Sequence, residues 1–382
     1  MVNIKICDIT LRDGEQAAGV NFFPEDKLRI AEKLALMNVP IIEAGFAIAS
    51  PSDFKGIELI SRKIGVSNGP VICSMARAIR NDIRCAVEAL KYAAKPRIQI
   101  VFSTSDIHLK HKLNMDRSQA KDIVHEMVSY AKSLIDDVGF IAEDATRTDI
   151  NFLVEIFNIA VNAGANIVGI PDTVGYSTPD EYGSIVKAVS VSLPDNITIS
   201  THCHNDLGLA VANTLSGISA GATQAEVTVN GLGERAGNAS LEEVVMALAT
   251  RKDIYNVDTN IDTRHILNIS KLVCELSGIN VQKNKAIVGA NAFLHESGIH
   301  QDGMLKNTQT YQIINPEQVG WHGNQIVIGK HSGKKVLMSG LKKIGIHLAD
   351  KELEEFFVKF KKVSSKKKSI TISDLKDIAN NH

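Results

Sequence analysis

Short apolar, β-branched runs recur about every 25 to 35 residues through most of the chain, and each is followed by a segment with helical spacing. The runs are Ile4–Cys7, Ile41–Phe46, Val71–Met75, Ile98–Phe102, Val138–Ile141, Ile167–Ile170, Ile197–Ser200 and Ala225–Val229. Between them lie stretches such as PEDKLRIAEKLALM and LEEVVMALATRKD, whose apolar residues fall three and four apart and so share one helix face. Strands that alternate with helices are parallel and joined by crossovers. Eight such units over roughly 250 residues have the size of a closed (β/α)8 TIM barrel. A doubly wound open sheet is the competing α/β architecture.

Polar residues gather just after the apolar runs, not before them: Arg12 and Asp13, Glu43, Thr104, Glu143, Asp172 and Thr173, His202 and His204, Asn230. In a parallel barrel these positions share one rim, where such folds build their sites. Residues that are polar only for solubility would scatter over both rims. Beyond residue 275 the repeat stops. The expected division is a barrel over 1–275, an accessory lobe over 276–325 rich in Asn, His, Gly and Gln, and a helical lobe over 326–382. The basic clusters Lys361–Lys362 and Lys366–Lys368 read as a solvated helix face.

Composition narrows the partners. Hydrophobic residues at 44%, charged residues at 22% and a formal net charge of −1 describe a soluble enzyme-sized chain and argue against a nucleic-acid or membrane surface as the main partner. The five cysteines are odd in number, scattered and without a CxxC pair, as expected for reduced thiols in a cytoplasmic protein. The opening MVNIKICDITLRDGEQ has no apolar signal core, and no apolar run approaches the ~20 residues of a membrane span.

The sharpest chemical signal is Thr201-His202-Cys203-His204-Asn205-Asp206 at the end of a strand. Residues two apart on a strand project to one face, so His202 and His204 can bind a single ion. Asp13, after the first strand, offers an oxygen ligand, and Asn238 can reach the same ion. Closed zinc sites favour Cys and His. Two imidazoles with hard oxygens suit an open divalent site for Mn²⁺, Mg²⁺ or Zn²⁺. Arg12 is either an ordinary ion pair with its neighbour or a donor for charge developing on a substrate oxygen. The segment Gly231-Leu232-Gly233-Glu234-Arg235-Ala236-Gly237-Asn238 is a glycine-rich turn over the rim, or a backbone that approaches a ligand closely. Its order is not GxGxxG, so it is no dinucleotide fingerprint. Glu143 and Asp144 are either paired carboxylates for acid–base work or ion-pair partners for Arg147 or another arginine. His295-Glu296-Ser297-Gly298-Ile299-His300 misses the HExxH spacing of a metalloprotease helix.

Taken together, DITLRDGEQ, IIEAGFA, PDTVGY, HCHNDLGLAVAN, NGLGERAGNASLEEVVMAL, NKAIVGANAF, HESGIHQDG and GKHSG resemble the 2-isopropylmalate synthase branch of the acyl-CoA-condensing TIM barrels. Homocitrate and citramalate synthases are relatives of that branch. The resemblance runs over essentially the whole chain. It implies a divalent-metal enzyme that condenses acetyl-CoA with a 2-oxo acid. The implied metal ligands are Asp13, His202, His204 and Asn238. Arg12 is implied as the catalytic arginine, Glu143 and Thr173 as substrate-binding residues, and His300 with Tyr311 as the proton-transfer pair. Gly231, Gly233 and Gly237 are implied to lie near acetyl-CoA. A homodimer follows from the same resemblance, with the accessory lobe of one chain covering the barrel of the other.

Three positions depart from the branch's usual pattern. Gln99 stands where RIH is common, Ile141 where Ser is common, and Ala47 ends GFA where GFP is frequent. Gln99 and Ile141 are expected to line the pocket for the oxo acid's side chain, where a methylene-sized change is worth only ~1–3 kcal/mol yet can change the preferred substrate. Citramalate synthase and then homocitrate synthase are the alternatives within the class. An acyl-CoA lyase of the same superfamily fits HESGIHQDG poorly, and a silent metal-binding barrel would lack a ligand or Arg12. The chain ends at ANNH, where longer relatives continue into a leucine-binding domain, so no leucine feedback is expected in this polypeptide.

Overall fold

The computed structural model describes residues 2–323, 326–367 and 369–380. It divides into two compact units, Met1–Val281 and Gln282–His382.

The first unit is a closed barrel of eight parallel strands: β1 (Lys5–Asp8), β2 (Ile41–Glu43), β3 (Val71–Arg77), β4 (Pro96–Ser103), β5 (Asp137–Glu143), β6 (Ile167–Asp172), β7 (Thr198–Cys203) and β8 (Gln224–Val227). Each strand pairs with the next in sequence. Closure comes from β1 on β8, with Lys5 opposite Gln224 and Asp8 opposite Val227. An open doubly wound sheet is thereby excluded. The crossover helices are α1 (Pro24–Leu36), α2 (Pro51–Lys63), α3 (Arg80–Leu90), α4 (Arg117–Lys132), α5 (Ile150–Asn162), α6 (Pro179–Ser190), α7 (Ala210–Ser219) and α8 (Leu241–Thr250), followed by α9 (Ile266–Ser277). Their starts are chemically marked: proline opens α1, α2 and α6, and the Ser50 hydroxyl accepts the Asp53 amide at the start of α2. Ile30, Ala31 and Leu34 of α1 show the helix logic, a buried stripe three and four residues apart.

Strand parity decides which side chains reach the barrel interior. Met75 and Arg77, Gln99 and Val101, Ile141 and Glu143, Pro171 and Thr173, and His202 and His204 each lie two apart, and all line one cavity at the C-terminal rim. Their neighbours of opposite parity do not. Asp172 accepts from Thr146, the Ser177 amide and the Ser177 hydroxyl at 3.0 to 3.3 Å. Thr104 shares a 2.7 Å hydrogen bond with Thr148, and Asn230 donates to the Ser270 carbonyl at 3.1 Å. The expectation that every polar strand end faces the cavity is corrected for these three. Two inward glycines give room to their neighbours. A Cβ on Gly169 would stand 2.3 Å from Cδ1 of Ile141, and one on Gly139 would stand 3.2 Å from Oε1 of Gln99.

The second unit carries α10 (Gly298–Lys306), α11 (Lys334–Lys343), α12 (Asp350–Ser364) and α13 (Ile372–Asn380). Leu337, Leu341, Leu353, Phe356, Phe360, Leu375 and Ile378 form its core. The expected internal boundary after residue 325 lies outside the described residues, as does Lys368. The lysine clusters are only partly a solvated face. Lys362 and Lys366 are exposed, but Lys361 donates to the carbonyls of Lys330 and Ser332, and Lys367 pairs with Asp374.

Candidate active site

The cavity at the C-terminal rim, about 380 Å³, has two chemically different halves. One half comes from β1, β2, β7 and the segment after β8. Behind β1 the amides of Arg12, Asp13 and Gly14 all turn onto the Ile9 carbonyl, at 2.9 to 3.1 Å, which folds Arg12 and Asp13 over the barrel mouth. His202 and His204 end β7. The chain then returns beside it, with the Asn205 amide on the Gly237 carbonyl and the Ala239 amide on the Cys203 carbonyl, and this sets Asn238 against His204. Two glycines make the return possible. Gly237 has φ +87°, and a Cβ there would lie 1.9 Å from the Gly231 carbonyl oxygen. A Cβ on Gly233 would lie 2.1 Å from the Asn238 amide nitrogen and 2.9 Å from Asp13 Oδ1. Gly231, Gly233 and Gly237 thus frame Asn238 and Asp13.

One donor atom each from Asp13, His202 and His204 lies within 4.8 Å of the others. Asp13 Oδ2 stands 3.8 Å from Nε2 of both histidines, and the two Nε2 atoms are 3.3 Å apart. All three side chains are buried. Asn238 donates to Asp13 Oδ1 at 2.7 Å, and its own Oδ1 is buried without a partner. Two imidazole nitrogens, a carboxylate oxygen and an orphaned amide oxygen fit a divalent cation well. His202 Nδ1 lies 2.9 Å from Glu226, the carboxylate–histidine arrangement that orients a metal-ligating ring. Glu226 also accepts from Ser200 at 3.1 Å.

Electrostatics follow from burial and these pairings. Burial pushes the Asp13 carboxyl up, but Arg12, His202 and His204 together overcome that and hold it well below the usual carboxylate range. Burial lowers both histidines. In His202 the hydrogen bond and charge of Glu226 outweigh it and raise the ring. His204 has no such partner and falls to about 4, leaving it neutral. Arg12 bridges two acids, with Nε on Glu43 at 2.5 Å and Nη1 on Asp13 at 2.6 Å. Burial opposes its charge, yet Glu43 and Asp13 hold its proton more firmly than water does.

The other half of the cavity is an apolar wall of Met75, Val101, Ile141 and Pro171 beneath a polar rim. Gln99 lies low in it and donates to Glu43 at 3.0 Å. Glu143 and Asp144 part company here. Asp144 is buried against Arg147 at 2.8 Å and Ser105 at 2.5 Å, whereas Glu143 faces the cavity and is held by Lys112 and Ser103. Thr173 accepts the Asp144 amide at 2.9 Å, which leaves its hydroxyl proton for the cavity. Arg235 pairs with Asp206 at 2.8 Å and reaches the Thr173 carbonyl.

His300 and Tyr311 belong to the second unit, where their rings stack with centroids 4.2 Å apart. His295 meets His300 edge-on at 6.3 Å. Glu226 and Lys112 are not among the site residues expected from the sequence. Glu226 was detectable as a lone acid in the apolar run QAEVTV, at an inward position. Lys112 sits in a lysine-rich loop and carries no local signal.

The HMGL-like family model matches residues 3–273, and the model described as homocitrate synthase post-HMGL domain-like matches residues 287–368. The 2-isopropylmalate synthase of Synechocystis is 53% identical over 99% of this chain and 73% of its own length. That of Pyrococcus furiosus is 51% identical over 98% of this chain and 75% of its own. Among solved structures, hydroxymethylglutaryl-CoA lyase from Pseudomonas aeruginosa superposes with a TM-score of 0.64 at 18% identity, covering 73% of this chain and 94% of the lyase. At that identity the likeness is one of fold.

Proposed function

This chain belongs to the HMGL-like family and, within it, to the 2-isopropylmalate synthases, and from that premise we propose that it joins the methyl carbon of acetyl-CoA to the carbonyl carbon of 3-methyl-2-oxobutanoate. Thioester hydrolysis then releases CoA and makes the sequence irreversible. The observation that carries the reading is the meeting of Asp13, His202 and His204 at the edge of a half-apolar cavity.

Asp13, His202, His204 and Asn238 would hold a divalent ion (Mn²⁺, Mg²⁺ or Zn²⁺), which when bound supplies Lewis acidity toward the oxo acid. Arg12 lies beside them and donates to the oxygen on which negative charge develops during carbon–carbon bond formation. Thr173 donates its hydroxyl proton to the oxo acid's carboxylate, and Glu143 binds substrate at the rim. Met75, Val101, Ile141 and Pro171 receive the isopropyl group, since an apolar wall favours an apolar side chain and disfavours a second carboxylate. Gln99 bounds that subsite from below. His300, steadied by its stacked partner Tyr311, takes the methyl proton of acetyl-CoA, so that the resulting enolate attacks the carbonyl carbon. Gly231, Gly233 and Gly237 border the acetyl-CoA position. Because His300 and Tyr311 lie outside the barrel, the proposal includes a homodimer in which the accessory region of one cytoplasmic chain completes the barrel site of the other.

The test is a thiol-release assay with acetyl-CoA, Mn²⁺ or Mg²⁺ and a panel of 2-oxo acids. Highest kcat/KM with 3-methyl-2-oxobutanoate supports the proposal. A clear preference for pyruvate or 2-oxoglutarate moves the chain to citramalate or homocitrate synthesis, and release with none of them refutes the reaction class.

A further inference from the structure

We propose that Lys112 is a positioning residue that neutralises Glu143 at the cavity wall and so allows an anionic 2-oxo acid to bind beside that carboxylate. The inference rests on the reading of the cavity as a 2-oxo acid site and goes beyond it by assigning a residue outside the barrel strands.

The geometry is specific. Lys112 Nζ reaches both oxygens of Glu143, at 2.6 and 2.7 Å, and stands 3.3 Å from Ser103 Oγ. Ser103 donates to Glu143 Oε2 at 2.5 Å. Three contacts therefore fix one carboxylate at the mouth of the cavity. The lysine comes from a π-helical turn, Leu109–Leu113, that closes at Asn114 in the left-handed region. Such turns are uncommon and recur at functional sites. This one is pinned on both sides. Leu109 is buried, the Met115 amide returns to the Leu109 carbonyl at 3.0 Å, and Asp106 forms two hydrogen bonds with Arg117 at 2.7 and 2.8 Å. The turn thus presents Lys112 to the cavity with little freedom of its backbone, while the side chain itself is half-exposed and adjustable.

Charge accounting points to the role. The acids lining the cavity are Asp13, Glu43, Glu143 and Glu234, and the cations are Arg12, Arg77, Lys112 and Arg235. Arg12 is shared between Asp13 and Glu43, Arg77 is engaged by Asp82 at 2.6 Å, and Arg235 by Asp206. Arg147, the nearest other arginine in sequence, is held by Asp144. His108 Nδ1 stands farther off, 3.8 Å from Glu143 and equally from Asp144, so Lys112 is the cation in direct hydrogen-bond contact with Glu143. Without it a carboxylate would stand uncompensated in the chamber that must take a second one, and like charges in a partly dry site repel strongly.

The test is calorimetric binding of 3-methyl-2-oxobutanoate to the Mn²⁺-loaded protein, without acetyl-CoA, so that no turnover is needed. Lys112→Met is expected to weaken binding about 10-fold or more, and Lys112→Arg to retain most of the affinity. In a Glu143→Gln background, Lys112→Met is expected to change the affinity less than about 3-fold, because the charge it neutralises is gone. Wild-type affinity in Lys112→Met overturns the inference. So does a full penalty in the Glu143→Gln background, which would mean that the lysine acts on the ligand directly. Thermal unfolding of each variant separates lost binding from lost fold. A wild-type protein that binds no 2-oxo acid overturns the reading of the cavity, and this inference with it.

Discussion

Replacing Glu226 by Gln is the most searching perturbation of the proposed metal centre, because it leaves every proposed ligand in place. Glu226 is fully buried and accepts from His202 Nδ1 at 2.9 Å and from Ser200 at 3.1 Å. Its hydrogen bond and then its charge raise the His202 ring against the effect of burial. Gln keeps the length and can still accept from Nδ1–H, but its amide end meets Ser200 Oγ, which already accepts from Gln224 at 2.9 Å. One charge-assisted hydrogen bond is therefore weakened and one is put in conflict. Hydrogen bonds to charged groups are worth about 1.5–3 kcal/mol, which corresponds to roughly 10- to 100-fold in an equilibrium constant. Loss of an outer partner of a metal-bound histidine costs the same range in metal affinity. Isothermal titration of metal-free protein with Mn²⁺ or Zn²⁺ is expected to show a Kd weaker by about 10- to 100-fold in Glu226→Gln. An unchanged Kd in a folded variant would show that Glu226 is merely a buried structural acid.

Further expectations follow from the same geometry. Arg12→Lys keeps the charge but loses the planar fork whose Nε and Nη1 meet Glu43 and Asp13 separately, so kcat is expected to fall by ~10²–10³ in steady-state assays; near-wild-type kcat would remove Arg12 from the reaction. Gly233→Ala places a Cβ 2.1 Å from the Asn238 amide, so calorimetry is expected to show weaker metal binding, and an unchanged Kd would mean that the loop has shifted without disturbing Asn238. Asp8 is raised by burial to about 7 despite two hydrogen bonds from Thr10. An acid raised on folding contributes stability that is complete below its unfolded pKa of about 4 and is lost as pH climbs through the folded value. Asp8→Asn should therefore gain on wild type between pH 4 and pH 7, by at most about 1.4 kcal/mol per pH unit, in denaturant melts. A constant difference across that range would contradict the buried ionisation.

The barrel was legible because its evidence is local and repeated. Each apolar run is a strand buried on both faces, and each following segment carries its own helical stripe. Strand ends were less secure: the run Ile41–Phe46 yields a strand only to Glu43, since the cavity begins there and the chain leaves the ladder. Position relative to the rim was readable, but facing was not applied strictly. Asp172 and Thr104 sit at the correct height with the wrong parity, one residue off the inward series Pro171–Thr173 and Gln99–Val101 of their own strands, whereas Asn230 lies past the end of its strand in a turn with φ +63°. Glu43 was noticed as a rim residue, yet its hold on Arg12 spans 31 positions and nothing in the local sequence announces it. Lys112 was invisible for the same reason, being one lysine of the loop LKHKL until the turn directs it at Glu143.

The interior beneath the site explains why His202 turns Nε2, rather than Nδ1, toward Asp13 and His204. Arg97 lies low in the barrel, bound to Asp137 at 2.9 Å, and as a residue that can only donate it meets Gln224 Oε1 at 3.1 Å. That contact fixes the Gln224 amide, whose nitrogen must then donate to Ser200 Oγ. With its oxygen occupied as an acceptor, the serine turns its proton to Glu226. Glu226 as a carboxylate can only accept, so His202 Nδ1 carries a proton and Nε2 is the nitrogen turned to the cavity side. Each link has one permitted direction, and the whole chain is set by a guanidinium far from the chemistry. A TIM barrel fills its core with side chains in layers. Here one file of that filling is polar, and it transmits orientation from the closed end of the barrel to His202, the proposed metal ligand at the open end.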